Sequence, residues 1–171
     1  LNLGDDDAFT LAKRIKMKYS EVPIVVLTHF NREVSIRLQN EDLSAIDYVF
    51  CWLGNANLLL AIIKLIEDEM NAEHDISDVG VQAIILVEDN IRFYSSYLPN
   101  IYKIIFKQSK AFMREGLNEH QKMNRARGRP KILLATTYDE AIEIYTKKAE
   151  ELKTYLSHGS SKNVADIIME M

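Results

Sequence analysis

Cysteine is almost absent from this chain: Cys51 stands alone among 171 residues. One thiol excludes an intrachain disulfide and a zinc site built on paired cysteines, and it fits a reducing compartment. No apolar run approaches the roughly 18–20 residues that a membrane span needs. The first residues lack the basic-then-apolar pattern of a secretory signal. The expectation is a cytoplasmic protein with no membrane partner. Positive charge is also short, with 21 Lys and Arg against 25 Asp and Glu and a formal net charge of −4. Without a domain-wide positive field to gather phosphates, a nucleic-acid partner is not expected. There is no low-complexity tract and no internal repeat. A glycine-rich phosphate cradle and a nucleophile–base pair are missing too, so an enzyme reading has little to stand on. The four histidines, His29, His74, His120 and His158, show no ligand spacing.

What is present suits one domain, or one domain with an extra helix. The chain is 47% hydrophobic and 27% charged, enough apolar matter for a real core. Ala8, Leu11, Ala12, Ile15 and Tyr19 recur at helical spacing over residues 7–19. Pro23 then opens PIVVLTH, a β-branched run of the kind that forms a central parallel strand. Residues 31–42 read as a short charged helix, and Asp47–Trp52 as the next strand. Asn55 or Asn57 is placed to cap the helix LLLAIIKLIEDEM. Residues 71–80 (NAEHDISDVG) are polar and read as a linker. Val81–Val87 is a second central-type strand, ending in Glu88-Asp89. A long helical pattern runs from about residue 90 to about 124, with Pro99 expected to kink or restart it. KILLATT, a helix from Tyr138 to about Leu156, a Gly159-Ser160-Ser161 connector and the strand NVADIIMEM complete the chain.

Strands and helices alternate throughout, which predicts a parallel sheet with helices on both faces. The end also runs into the beginning. Joined tail to head, ADIIMEM-LNLGDDDAFTLAKRI forms one strand–loop–helix unit, as in a circularly permuted domain cut at an exposed loop. A chain that opens on Leu1 is expected to be an excised segment.

These pieces resemble the receiver domain of two-component response regulators. Val87-Glu88-Asp89-Asn90 matches the acidic pair that ends a receiver's first strand, so the resemblance implies Glu88 and Asp89 as Mg²⁺ ligands. Thr28 in LTH matches the hydroxyl residue that ends the fourth strand, and Tyr48 in DYVFCW matches the aromatic switch of the fifth. Two positions depart. The phospho-acceptor place holds Met171, and the receiver lysine falls on Cys51, with Trp52 in the place of the neighbouring proline. A thioether neither accepts a phosphoryl group nor ligates Mg²⁺ usefully. Glu170 lies one residue out of register, and a slip would put a permanent charge at the acceptor place. The long helix after ILVEDN, followed by RGRPKILLATTYDEA, is similar to the receiver-like segments of bacterial proteins related to phosphoenolpyruvate synthase.

The resemblance implies a three-layer α/β, flavodoxin-like fold. Its five parallel strands would stand in the order 2-1-3-4-5, with the C-terminal strand at the centre and one unusually long helix. It covers either one permuted domain, with 1–75 as its C-terminal half and 81–171 as its N-terminal half plus central strand, or residues 1–75 and 81–150 of two tandem receivers. The expected function is that of a degenerate pseudo-receiver: no catalysis, no obligatory cofactor, and a protein partner or a catalytic module in cis. Tyr48 and an exposed Trp52 would serve as the contact surface, and the long helix as a homodimer seam. The alternatives are a working phospho-receiver using Glu170 or Asp6, and an engineered permutant without its own task. Asp5-Asp6-Asp7 read as caps for the first helix rather than as a metal cluster. Arg127-Gly128-Arg129-Pro130 spells a minor-groove hook but reads as a helix-to-strand loop.

Overall fold

The computed structural model describes residues 2–3, 6–29, 36, 38, 40–77, 81–114 and 128–147. The chain divides into two compact units. The first holds Leu1–Leu60 with Asn90–Pro99, the second Ala61–Asp89 with Asn100–Met171.

In the first unit, strands β1 (Asn2–Leu3) and β2 (Asp6–Asp7) form a short antiparallel pair. Helix α1 (Ala8–Lys18) follows and buries Phe9 and Ala12, with Lys16 and Lys18 in its last turn, where cations favour the dipole. Asp7 occupies the N-cap position, but its side chain makes no capping hydrogen bond. Strands β3 (Val25–Thr28) and β4 (Tyr48–Cys51) pair in parallel, with Val25 opposite Tyr48 and Thr28 opposite Cys51. Asp47 fixes the start of this pairing. Its carboxylate accepts the Ile24 N–H at 2.6 Å and pairs with Lys16 at 3.0 Å.

Two helices contribute to both units. Helix α2 (Asn57–Ser77) starts on Asn55, whose side-chain oxygen accepts the Asn57 N–H at 3.0 Å, so the expected cap is present. It continues through residues 71–77, where a linker was expected. Ala72 and Ile76 extend the buried stripe of Leu58, Ala61 and Leu65, and helical spacing outweighs the polar composition. Helix α3 (Ile91–Arg114) is capped in the same way, by Asn90 Oδ1 accepting the Arg92 N–H at 3.0 Å. Pro99 lies inside α3 without ending it.

In the second unit, β5 (Ala83–Val87) and β6 (Lys131–Ala135) form another parallel pair, with Ala83 opposite Lys131. Every residue of β6 is buried. Helix α4, residues 138–147, is held at its start by Thr137, whose hydroxyl oxygen accepts the Glu140 N–H at 3.2 Å. Glu140 reaches back to the Thr136 N–H at 2.7 Å, a variant of the capping box. Ile144 packs against the buried cluster of Ala72, Ile76 and Leu133.

The alternation of strands and helices is present, but among the described residues the expected five-stranded sheet is not. The parallel strands form two separate two-stranded sheets, β3–β4 and β5–β6. The physical reason is visible at the strand edges. On the side of β4 away from β3, the Tyr94 hydroxyl donates to the Val49 carbonyl, and the Cys51 N–H donates to Ser95 Oγ at 2.9 Å. On the side of β6 away from β5, the Ile132 N–H donates to Asp68 Oδ2 at 3.0 Å. Helix side chains thus occupy ladder groups that a neighbouring strand would need. The strand expected at residues 163–171, and the part of the long helix beyond Arg114, lie outside the described residues.

Candidate functional site

Four of the residues singled out by the receiver resemblance belong to the first unit. Thr28 ends β3 and is buried; its hydroxyl lies 3.4 Å from the His29 carbonyl as donor. Its own carbonyl accepts the Trp52 N–H at 2.8 Å, so Thr28, Cys51 and Trp52 are brought together at the carboxyl end of the β3–β4 pair. Cys51 is a free thiol, buried. Tyr48 is half-buried, its ring 6.2 Å from that of Phe50. Trp52 is half-buried as well, less open than the exposed anchor expected.

Glu88 and Asp89 fall in the second unit, directly after β5. The Glu88 N–H donates to the Ala135 carbonyl at 3.0 Å, and the Asp89 side chain is exposed. Among the described residues no group of three His, Cys, Asp or Glu side chains is placed to hold a metal ion. Two adjacent carboxylates offer a hard cation too few protein oxygens for a closed site. Met171 and Glu170 lie outside the described residues.

The densest cluster of charge was not singled out in the sequence. Asp68, fully buried on α2, accepts four protein hydrogen bonds. Its donors are the Tyr102 hydroxyl at 2.9 Å, the Arg129 guanidinium at 2.6 and 3.0 Å, and the Ile132 N–H at 3.0 Å. Lys131, also buried, pairs with Asp75 at 2.5 Å and stands 3.9 Å from Asp68. Glu67 stands 3.8 Å from Arg129, so three carboxylates face two cations. Arg129 also lies over the Phe106 ring, 5.6 Å from its centroid. Burial pulls the Arg129 pKa down, but the hydrogen bonds and charge of Asp68 outweigh it, and the group is held above its ordinary value. The same geometry disposes of the minor-groove hook for Arg129, which is committed to Asp68. Arg127 lies outside the described residues.

A sequence signal for this cluster exists. Asp68 sits three residues after Leu65 and four before Ala72, on the stripe that α2 buries. A carboxylate on such a stripe must find a cation, because an unpaired buried charge is too costly. Asp68, Arg129 and Lys131 are all buried and bonded to protein groups, so the chemistry of the cluster is structural.

The third feature is apolar. On α3, Tyr94 and Leu98 face inward, while Phe93 and Tyr97 face out with their rings stacked at 6.0 Å and 24°. They remain 51% and 46% exposed. Burial pushes the Tyr94 phenol well above its ordinary pKa, so it stays a neutral donor to the Val49 carbonyl.

No protein-family model, curated protein or solved structure matches this chain. Its function is therefore argued from its own residues. No helix among the described residues is long and apolar enough to cross a membrane.

Proposed function

We propose that this chain is a non-catalytic regulatory module of the pseudo-receiver kind, working in the cytoplasm through protein–protein contacts. The observation that carries the reading is the stacked Phe93–Tyr97 pair, half-exposed on a helix whose opposite face is fully buried. Rigid aromatic pairs of this sort are the anchors that interfaces favour, since they bring large contact area at little cost in side-chain entropy.

The residues in receiver-like positions support the same reading. A receiver's lysine bridges to the phosphoryl oxygen, and in its place stands Cys51, a buried thiol without a cationic group. Its backbone N–H is tied to Ser95. Treatment with acetyl phosphate, followed by intact mass, tests the reading. The expected result is no phosphoryl adduct and, on adding Mg²⁺ and beryllofluoride, no concerted shift of the Thr28, Tyr48, Glu88 and Asp89 resonances. A mass gain of one phosphoryl group with those resonances moving together would make the chain a working receiver.

A further inference from the structure

In the second unit, α3 and α4 present complementary outer faces. Along α3, Lys103, Lys107 and Lys110 are exposed in one row, and Ile104 stands beside them at 58% exposure. Along α4, Tyr138, Ile142 and Tyr145 form an exposed apolar row at 74%, 45% and 57%, with Asp139 and Glu143 alongside. None of these five charged side chains makes an ion pair among the described residues.

We infer that α3 of one copy docks on α4 of a second copy of this chain. The argument is charge complementarity with matched spacing. Lys103 to Lys107 and Asp139 to Glu143 are both four-residue steps, about 6 Å along a helix axis. The charged and apolar residues on each helix also stand in a definite rotational order. At about 100° per residue, Ile104 of α3 lies a quarter-turn beyond the lysine row. On α4 the acidic row lies a quarter-turn beyond the apolar one. Turning one helix to face the other reverses left and right. Basic row then meets acidic row, and apolar meets apolar, only when the two helices run parallel. An antiparallel approach sets lysines against tyrosines. In the parallel arrangement Lys103 lies opposite Asp139, Lys107 opposite Glu143, and Ile104 against the Tyr138–Ile142–Tyr145 row. Ile104 and the exposed apolar row of α4 supply the attraction, and the charges fix direction and register.

This deepens the interaction-module reading by naming a partner, and it fails on a different measurement. Sedimentation equilibrium of the whole chain at low salt is expected to show self-association that weakens as salt rises. Lys107→Glu and Glu143→Lys are each expected to weaken association by at least about tenfold. Both positions are exposed, so thermal unfolding should hardly move. An equal mixture of the two variants restores association, because each reversed row meets a reversed partner. Zero-length carbodiimide coupling should join Lys107 of one copy to Glu143 of the other. A monomer at every concentration and salt would overturn the inference, as would association that ignores both reversals or a mixture that fails to recover. None of these results touches the acetyl phosphate test, on which the interaction-module reading stands or falls.

Discussion

Removing the Asp68 carboxylate should be the most damaging single change in the second unit. In Asp68→Ala, the Arg129 guanidinium loses both hydrogen bonds to Asp68 and its nearest counter-charge, keeping Glu67 at 3.8 Å, while remaining 7% exposed in its surroundings. The Tyr102 hydroxyl and the Ile132 N–H lose their acceptor in the same step. Breaking a buried ion pair from one side costs about 3–5 kcal/mol. That is a large share of the roughly 5–15 kcal/mol that holds a domain folded. For a chain of this size it corresponds to a fall in Tm of about 6–20 °C. Trp52 belongs to the first unit, so its fluorescence does not report this loss directly. Hydrogen exchange of peptides from residues 61–77 does, read beside far-UV circular dichroism in urea. Arg129→Met should be costly for the mirror-image reason, leaving Asp68 without its hydrogen-bonded cation and with Lys131 at 3.9 Å. The Asp68→Ala/Arg129→Met double variant should lose about 1–3 kcal/mol less than the sum of its singles, because neither charge of the pair is left stranded. A single-variant cost below about 1 kcal/mol, or simple additivity, would refute the view that the pair is a closed, mutually dependent unit.

The edge of β4 offers an independent test: Ser95→Ala strands the buried Cys51 N–H and should cost about 1–3 kcal/mol, read by Trp52 fluorescence in urea. Asn90→Ala removes the cap of α3 and should cost about 0.5–2 kcal/mol in the same assay. The Ser44 backbone N–H holds the exposed Asp42 carboxyl at about 2, with help from the Ser44 side chain and Lys13, against an ordinary 3.8. Its contribution to stability is therefore complete above 3.8 and is lost as pH falls through about 2. Carbon-detected NMR should find the Asp42 midpoint near 2, and an ordinary midpoint would remove the Asp42–Ser44 contact from the account. Phe93→Ser/Tyr97→Ser should cost no more than about 2–3 kcal/mol, because about half of each ring is already exposed; a loss well above that would make the pair a packing element rather than a contact surface.

Local signals carried much of the architecture. The Asn55 and Asn90 caps, the Pro23 breaker, the T-x-x-E start of α4 and the β-branched runs of β3, β5 and β6 are short-range features, readable wherever they occur. Helix α2 was underestimated because NAEHDIS looks polar on average. Only the three- and four-residue spacing of Asp68, Ala72 and Ile76 shows that one face stays buried. Which strands pair was not readable. Runs such as PIVVL, AIILV and KILLA are apolar on both faces and interchangeable as parallel neighbours, so nothing local in them names a partner.

The sequence by itself determined roughly where α1 to α4 and β3 to β6 begin, though not the short β1–β2 pair, that the parallel β-type runs alternate with helices, and that cysteine chemistry is limited to one thiol. Tertiary structure alone decided that, among the described residues, the strands stop at two per sheet, since Tyr94, Ser95 and Asp68 take up edge groups from positions distant in the chain. It alone also turned Arg129 from a surface basic residue into the buried partner of Asp68. Both outcomes depend on contacts across 44 to 64 positions of sequence, and a hydrogen bond of that span leaves no periodic or local trace in the residues that make it.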